Sequence, residues 1–251
     1  MAGPQSTPLS QLEALQRRLS TLSRHPSGNP IFFEDWSYGR AYSVTTSGAG
    51  GYEVVNSSNV VGQETVFNGK SMGKITTPGT GVAAYTLLFY NINPLSNLRL
   101  GLEVNFAFPY TQAQLALNFT EIIFGITLVK ELVGVNQLGA FVRYYPADDS
   151  LRLAGTATPW PGDLLLTNVF GTRYFTDWFL IWHNLKLVVD FENEVGVKLF
   201  FDDREINLSS YAFQRTVRPR QPVLQFSFGA QDRGASVMMF LGNMIFTTEE
   251  P

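Results

Sequence analysis

From Ile31 onward, apolar side chains recur at every second residue, and that spacing constrains the fold more than any other feature. Leu98, Leu100, Leu102, Val104, Phe106 and Phe108 alternate with Arg99, Gly101, Glu103, Asn105 and Ala107. Successive side chains of a strand point to opposite faces, so a period of two places the whole apolar set on one side. Leu185, Leu187, Val189 and Phe191 repeat the pattern, as do Val195, Val197, Leu199 and Phe201. Leu224, Phe226 and Phe228 open a further strand, and Val237 to Thr247 supplies the last. Turn-forming residues separate these runs at Pro146–Asp149, Glu192–Glu194 and Asp202–Asp203. Many short strands at regular spacing predict an all-β sandwich or jelly roll. Part of Leu115 to Val133 is the one stretch of this body left open to a helix.

The first thirty residues follow another period. Leu12, Leu15, Leu19 and Leu22 fall on one stripe of a helix. Ser10 with Glu13 fits a capping box, and His25-Pro26-Ser27-Gly28-Asn29-Pro30 ends the helix. So short a helix is marginal alone, so this amphipathic arm is expected to rest on its own domain or on another subunit. The expected division is an arm and Pro/Gly linker over 1–30 and a single β domain over 31–251. Within that domain, Trp36 to Leu98 carries only Arg40, Glu53, Glu64, Lys70 and Lys74 as charges and is rich in glycine. It reads as twisted edge strands with long loops, or as a surface that a partner covers.

Composition removes several classes of function. Hydrophobic residues make up 45% of the 251, enough for a sizeable core and too many for wholesale disorder. With no cysteine there is no disulfide framework, thiolate metal site or cysteine nucleophile. A net charge of −3 argues against nucleic acid and gives no attraction to anionic membranes. The N-terminal residues lack the pattern of a secretory signal, and the uncharged run Ile122–Val129 is too short to span a bilayer. The expectation is a soluble chain made in the cytoplasm, in which the Asn-x-Ser/Thr triplets at Asn56, Asn118 and Asn207 are chance.

Three segments carry a resemblance. Trp182-His183 opens a strand that ends at Asp190, and the next strand ends in the hairpin Asp202-Asp203-Arg204-Glu205. Phe32-Phe33-Glu34-Asp35 and Leu241–Thr248 stand where a first and a closing strand would be. Together they resemble the concanavalin A-like and laminin-G-like jelly rolls, although the hairpin lacks the usual glycine. The resemblance implies a two-sheet antiparallel jelly-roll sandwich. It leaves function open, because that superfamily holds lectins, glycosidases, adhesion modules and virion proteins.

Few residues fall in patterns that carry chemistry. A glycosidase needs two carboxylates about 5–9 Å apart. Asp190, Glu192 and Glu194 come nearest, but in the wrong order and at a hairpin end. Asp148-Asp149 and Asp202-Asp203 occupy turns, where aspartate bonds its own backbone. His25 and His183, far apart in the chain and without cysteine, argue against zinc; a Ser-His-Asp triad would have to use one of them and no Gly-x-Ser-x-Gly elbow is present, and His183 reads as a half-buried sheet residue. The resemblance leaves calcium open without naming ligands, and no other cofactor is expected. Gly69-Lys70-Ser71 fails the phosphate-loop spacing. Trp160, Tyr174 and Trp178 are open to three readings: core, partner contact or glycan platform. Arg215, Arg218 and Arg220, beside Pro219 and Pro222 in a loop, suggest a subunit contact.

These readings favour a non-enzymatic structural or binding protein in a homo-oligomeric assembly. A bacteriophage capsid decoration or tail component, partnered by other capsid proteins and located in the virion, fits a cytoplasmic lectin-like jelly roll. A carbohydrate-binding lectin-like module is the alternative, and a jelly-roll glycoside hydrolase the second. Two acids on one sheet face would favour the hydrolase.

Overall fold

The computed structural model describes residues 29–34, 51–56, 71–77, 79–81, 83–90, 99–110, 112–129, 136–154, 163–170, 181–211, 214–217 and 223–251. The expected N-terminal helix, with Leu12, Leu15, Leu19 and Leu22, lies outside them. The described strands form two antiparallel sheets.

The eight-stranded sheet runs β12 (Arg204–Asn207), β11 (Val195–Phe201), β10 (Ile181–Asp190), β5 (Arg99–Phe108), β15 (Met238–Thr248), β3 (Ser71–Thr76) and β2 (Gly51–Asn56). Its eighth strand, β1 (Asn29–Glu34), pairs with β15 beyond the end of β3. The seven-stranded sheet runs β4 (Ala83–Tyr90), β14 (Val223–Asp232), β6 (Phe119–Val129), β7 (Asn136–Tyr145), β8 (Ser150–Ala154) and β9 (Asp163–Thr167). Its seventh, β13 (Gln214–Val217), pairs with β7. Strands remote in sequence become neighbours, as when β5 lies between β10 and β15, so pairing interleaves the chain. Among the described strands, β2 and β4 of the glycine-rich stretch stand at the ends of their sheets, whereas β3 of the same stretch lies between β15 and β2.

Alternate residues from Leu100 to Phe108 of β5 and from Ile122 to Ile126 of β6 face inward and build the core. Leu100, Leu102, Val104 and Phe106 from one sheet meet Ile122, Phe124 and Ile126 from the other, all 0–1% exposed. The Phe106 and Phe124 rings lie 4.6 Å apart across the two sheets. Each such ring removed from water contributes about 1.5–3 kcal/mol.

Part of the stretch left open to a helix is helical: the seven-residue helix α1 (Gln112–Asn118) includes Leu115 to Asn118. Gln, Ala and Leu favour the helix there; from Phe119 the β-branched and aromatic residues of β6 override it. One expectation needs correction: the alternation in β5 does not mean one wet face, because Gly101, Glu103 and Ala107 are buried as well.

One end of the sandwich is tied by Asp232, which is fully buried at the end of β14. Its carboxylate accepts the N–H groups of Gly79, Gly81 and Gly234 at 2.7–2.8 Å. Gly79 and Gly81 take φ values of +76° and +75°, a conformation that favours glycine. Burial alone would raise the Asp232 pKa; these donors and Thr77 outweigh it and hold the carboxyl below its ordinary value.

Candidate functional site

The outward face of the seven-stranded sheet gathers charge and aromatic surface that the core does not use. Register places Ile123 opposite Arg143 and Gly125 opposite Phe141. Arg143 and Tyr145 in turn lie opposite Arg152 and Ser150. Glu121, Arg143, Tyr145, Ser150 and Arg152 therefore share the face pointing away from the Phe106–Phe124 core.

Arg143 donates from Nη1 to Glu121 Oε2 at 2.6 Å. The Tyr145 phenol hydrogen-bonds with both partners. Burial first, and then the Glu121 charge, raise its pKa above the ordinary tyrosine value. The Arg152 guanidinium stands over the Tyr145 ring, 5.7 Å from its centroid. Arg152 also donates from Nη2 to Asp148 Oδ2 at 2.9 Å and from Nε to Ser150 Oγ at 3.1 Å. Burial works to raise the Asp148 pKa, but the Ser150 and Arg152 hydrogen bonds win and lower it. Side-chain exposure rises outward along this strip, from 9% at Glu121 through 16% at Arg143 and 22% at Arg152 to 51% at Asp148. A polar strip that grades from sealed to open offers fixed donors and acceptors at its wet end.

Phe141 adds a half-buried ring beside the strip. A Cβ on Gly125 would sit 2.8 Å from Phe141 Cε1, so the ring lies over a position that only glycine leaves vacant. On this face, among the described residues, Glu121 is neutralised by Arg143 and Asp148 by Arg152.

The other sequence candidates are distributed elsewhere. Trp160, Tyr174, Trp178, Arg218 and Arg220 lie outside the described residues. Arg215 sits in β13 opposite Leu138, in a strand where the sequence suggested a loop. Asp190 caps its own turn, accepting from Glu192 and Asn193 N–H groups as expected. The Asp148–Asp149 and Asp202–Asp203 turns stand as read, but their bonds are not only local. Asp149 Oδ1 accepts from Tyr144 Oη and from the Phe170 N–H. Asp202 accepts the Asn184 N–H and lies 2.8 Å from His183 Nδ1. Asp202 itself takes φ +51°, which explains how the hairpin turns without a glycine.

His183 is buried rather than half-buried, at 3% exposure, among the rings of Phe106, Phe170 and Phe201. It ties β10 to the β11–β12 turn. No group of three His, Asp or Glu side chains suited to a metal occurs among the described residues, so the calcium expectation gains no named ligands. No described helix is long and apolar enough to cross a membrane.

Solved structures similar to this chain can be set beside that geometry. A carbohydrate esterase from Shiga toxin-encoding bacteriophage phi24B shares 14% identity, with 88% of this chain and 99% of that one covered, at a TM-score of 0.49. The Emp46p carbohydrate recognition domain, in its potassium-bound form, shares 13% over 79% of this chain and 87% of that one, at 0.44. Bacillus licheniformis β-glucanase shares 10% over 90% of this chain and all of that one, at 0.44. No protein-family model and no curated protein matches the sequence. The expectation of a non-enzymatic protein is corrected here. Structures similar to this one include an esterase and a glucanase, and a sequence without a familiar motif does not exclude such activities.

Proposed function

We propose that the chain is a jelly-roll module that recognises a carbohydrate on the outward face of its seven-stranded sheet. The observation that carries this reading is the graded strip Glu121–Arg143–Tyr145–Arg152, with the Phe141 ring beside it. Sugars present hydroxyls to be bonded and C–H faces to be covered, and the strip with its ring supplies both kinds of partner. The two arginines are each matched by a carboxylate, so the strip carries no excess charge and suits a neutral saccharide. This reading replaces the capsid or tail role as the leading one, because it rests on side chains that meet in space.

A glycan array probed with the wild-type chain and with Arg152→Ala tests it. Wild type is expected to bind a family of neutral glycans, and the variant to lose that signal while keeping its unfolding midpoint. No binding by wild type, or undiminished binding by the variant, overturns the reading. Loss of a charged hydrogen-bond donor corresponds to about 1.5–3 kcal/mol, or roughly 10- to 100-fold in affinity.

A further inference from the structure

The eight-stranded sheet holds a second group of charges that the carbohydrate reading leaves unused. Lys186 of β10 and Glu250, two residues beyond β15, lie 2.8 Å apart from Nζ to Oε1, and each side chain is only 1% exposed. Thr247 Oγ1 donates to the same Glu250 oxygen. Room for the carboxylate comes from Gly101 of β5, where a Cβ would sit 2.8 Å from Glu250 Cδ and closer still to Oε1. On the far side, Glu103 stands opposite Lys186 in register, and its Oε1 accepts from Asn184 Nδ2 at 2.8 Å.

Glu250 reaches this place from outside the sheet. Strand β15 ends at Thr248, and Glu249 turns the chain with φ +55°, a conformation that L residues other than Asn and Asp adopt at a cost. The Glu250 N–H then donates to Arg99 O at 3.4 Å. A strained residue thus delivers a charged side chain into a buried polar recess whose ammonium, hydroxyl and missing Cβ all match a carboxylate. Burying both charges is unfavourable unless the geometry is well matched, so the recess is built for the group it holds.

We propose that Gly101, Lys186 and Thr247 form a carboxylate-binding cradle, filled from within the chain by Glu250 and able to take a free monocarboxylate when that side chain is removed. Removing Glu250 leaves the ammonium and hydroxyl in place with a vacancy of acetate size, because Gly101 keeps its volume open.

The test uses the full chain carrying Glu250→Ala, with sodium acetate exchanged for sodium chloride at constant ionic strength. In chloride its Tm is expected to fall well below that of wild type. Acetate is expected to restore at least about half of the loss along a one-site saturation curve, while wild type does not respond. Adding Gly101→Ala to the Glu250→Ala chain is expected to abolish the response by filling the cradle. Equal effects of acetate on wild type and variant, or no effect on the variant, overturn the proposal, as does a variant as stable as wild type in chloride. Should Glu250→Ala not fold in chloride, the folded yield on refolding is read instead. Higher yield in acetate supports the cradle, and equal or absent yield overturns it.

Discussion

The outward faces of the two sheets use the same chemical vocabulary and put it to different ends. On the seven-stranded sheet, Glu121, Arg143, Arg152 and Asp148 are progressively more exposed, and Tyr145 and Phe141 stand half-buried among them. On the eight-stranded sheet, Lys186, Glu250, Glu103 and Asn184 are all nearly sealed from solvent. Carboxylates and cations occur on both. Access separates them: the open strip can exchange water for a ligand, whereas the sealed group holds the chain's own residues in place. Residue type alone therefore does not locate a binding face in this molecule.

The largest expected effect comes from breaking the sealed face. Lys186→Met leaves Glu250 buried without its cation and is expected to cost about 3–5 kcal/mol in urea unfolding. A loss below about 1 kcal/mol would mean the two faces are energetically alike. Second is Asp232→Asn, which weakens the acceptor for the Gly79, Gly81 and Gly234 N–H groups and is expected to cost about 1–3 kcal/mol at neutral pH. The carboxyl is held below its ordinary value of 3.8, so the unfolded chain takes up protons first as pH falls. The stabilisation is thus complete above pH 3.8 and is lost as pH drops through the lower folded value. Unfolding midpoints measured between pH 6 and 2 should converge for wild type and Asp232→Asn at the acid end.

Gly125→Val comes third. The added side chain must displace the Phe141 ring, with an expected cost of about 1–3 kcal/mol and a loss of glycan signal beyond what stability explains. The smallest effect sharpens the contrast from the open side: Arg152→Ala is expected to change stability by less than about 1 kcal/mol, because its partner Asp148 is half exposed.

Much of the fold can be read from period two. The strands around Leu100–Phe108, Leu185–Val189 and Met239–Phe246 place the expected residues in the core, and of the run Val195, Val197, Leu199 and Phe201 the last two are buried while the valines stay partly exposed. The bulges between Val188 and Val189, and between Leu241 and Met244, are not legible, since no alternation reveals an extra residue. Nor is the burial of Glu103 and Lys186, whose positions in alternating strands read as solvent-facing and are covered by long-range packing. The candidate site did leave a signal. Glu121 and Arg143 are lone charges within apolar runs, and lone opposite charges in consecutive strands pair when register sets them on one diagonal of the same face. The pair is an acid with a base, which the two-acid pattern of a glycosidase does not describe. His183 and Asp202 are 19 residues apart in sequence, and the β10–β11 pairing brings them together.

The central claim, that the open strip of the seven-stranded sheet is the recognition face, is tested most directly by calorimetric titration of the best array glycan. Wild type, Arg152→Ala and Lys198→Ala are compared, the last removing an exposed ion pair with Glu205 on the other sheet. The account predicts that Arg152→Ala weakens binding by about tenfold or more and that Lys198→Ala leaves it unchanged. Equal affinities for all three chains, or a loss confined to Lys198→Ala, would contradict it.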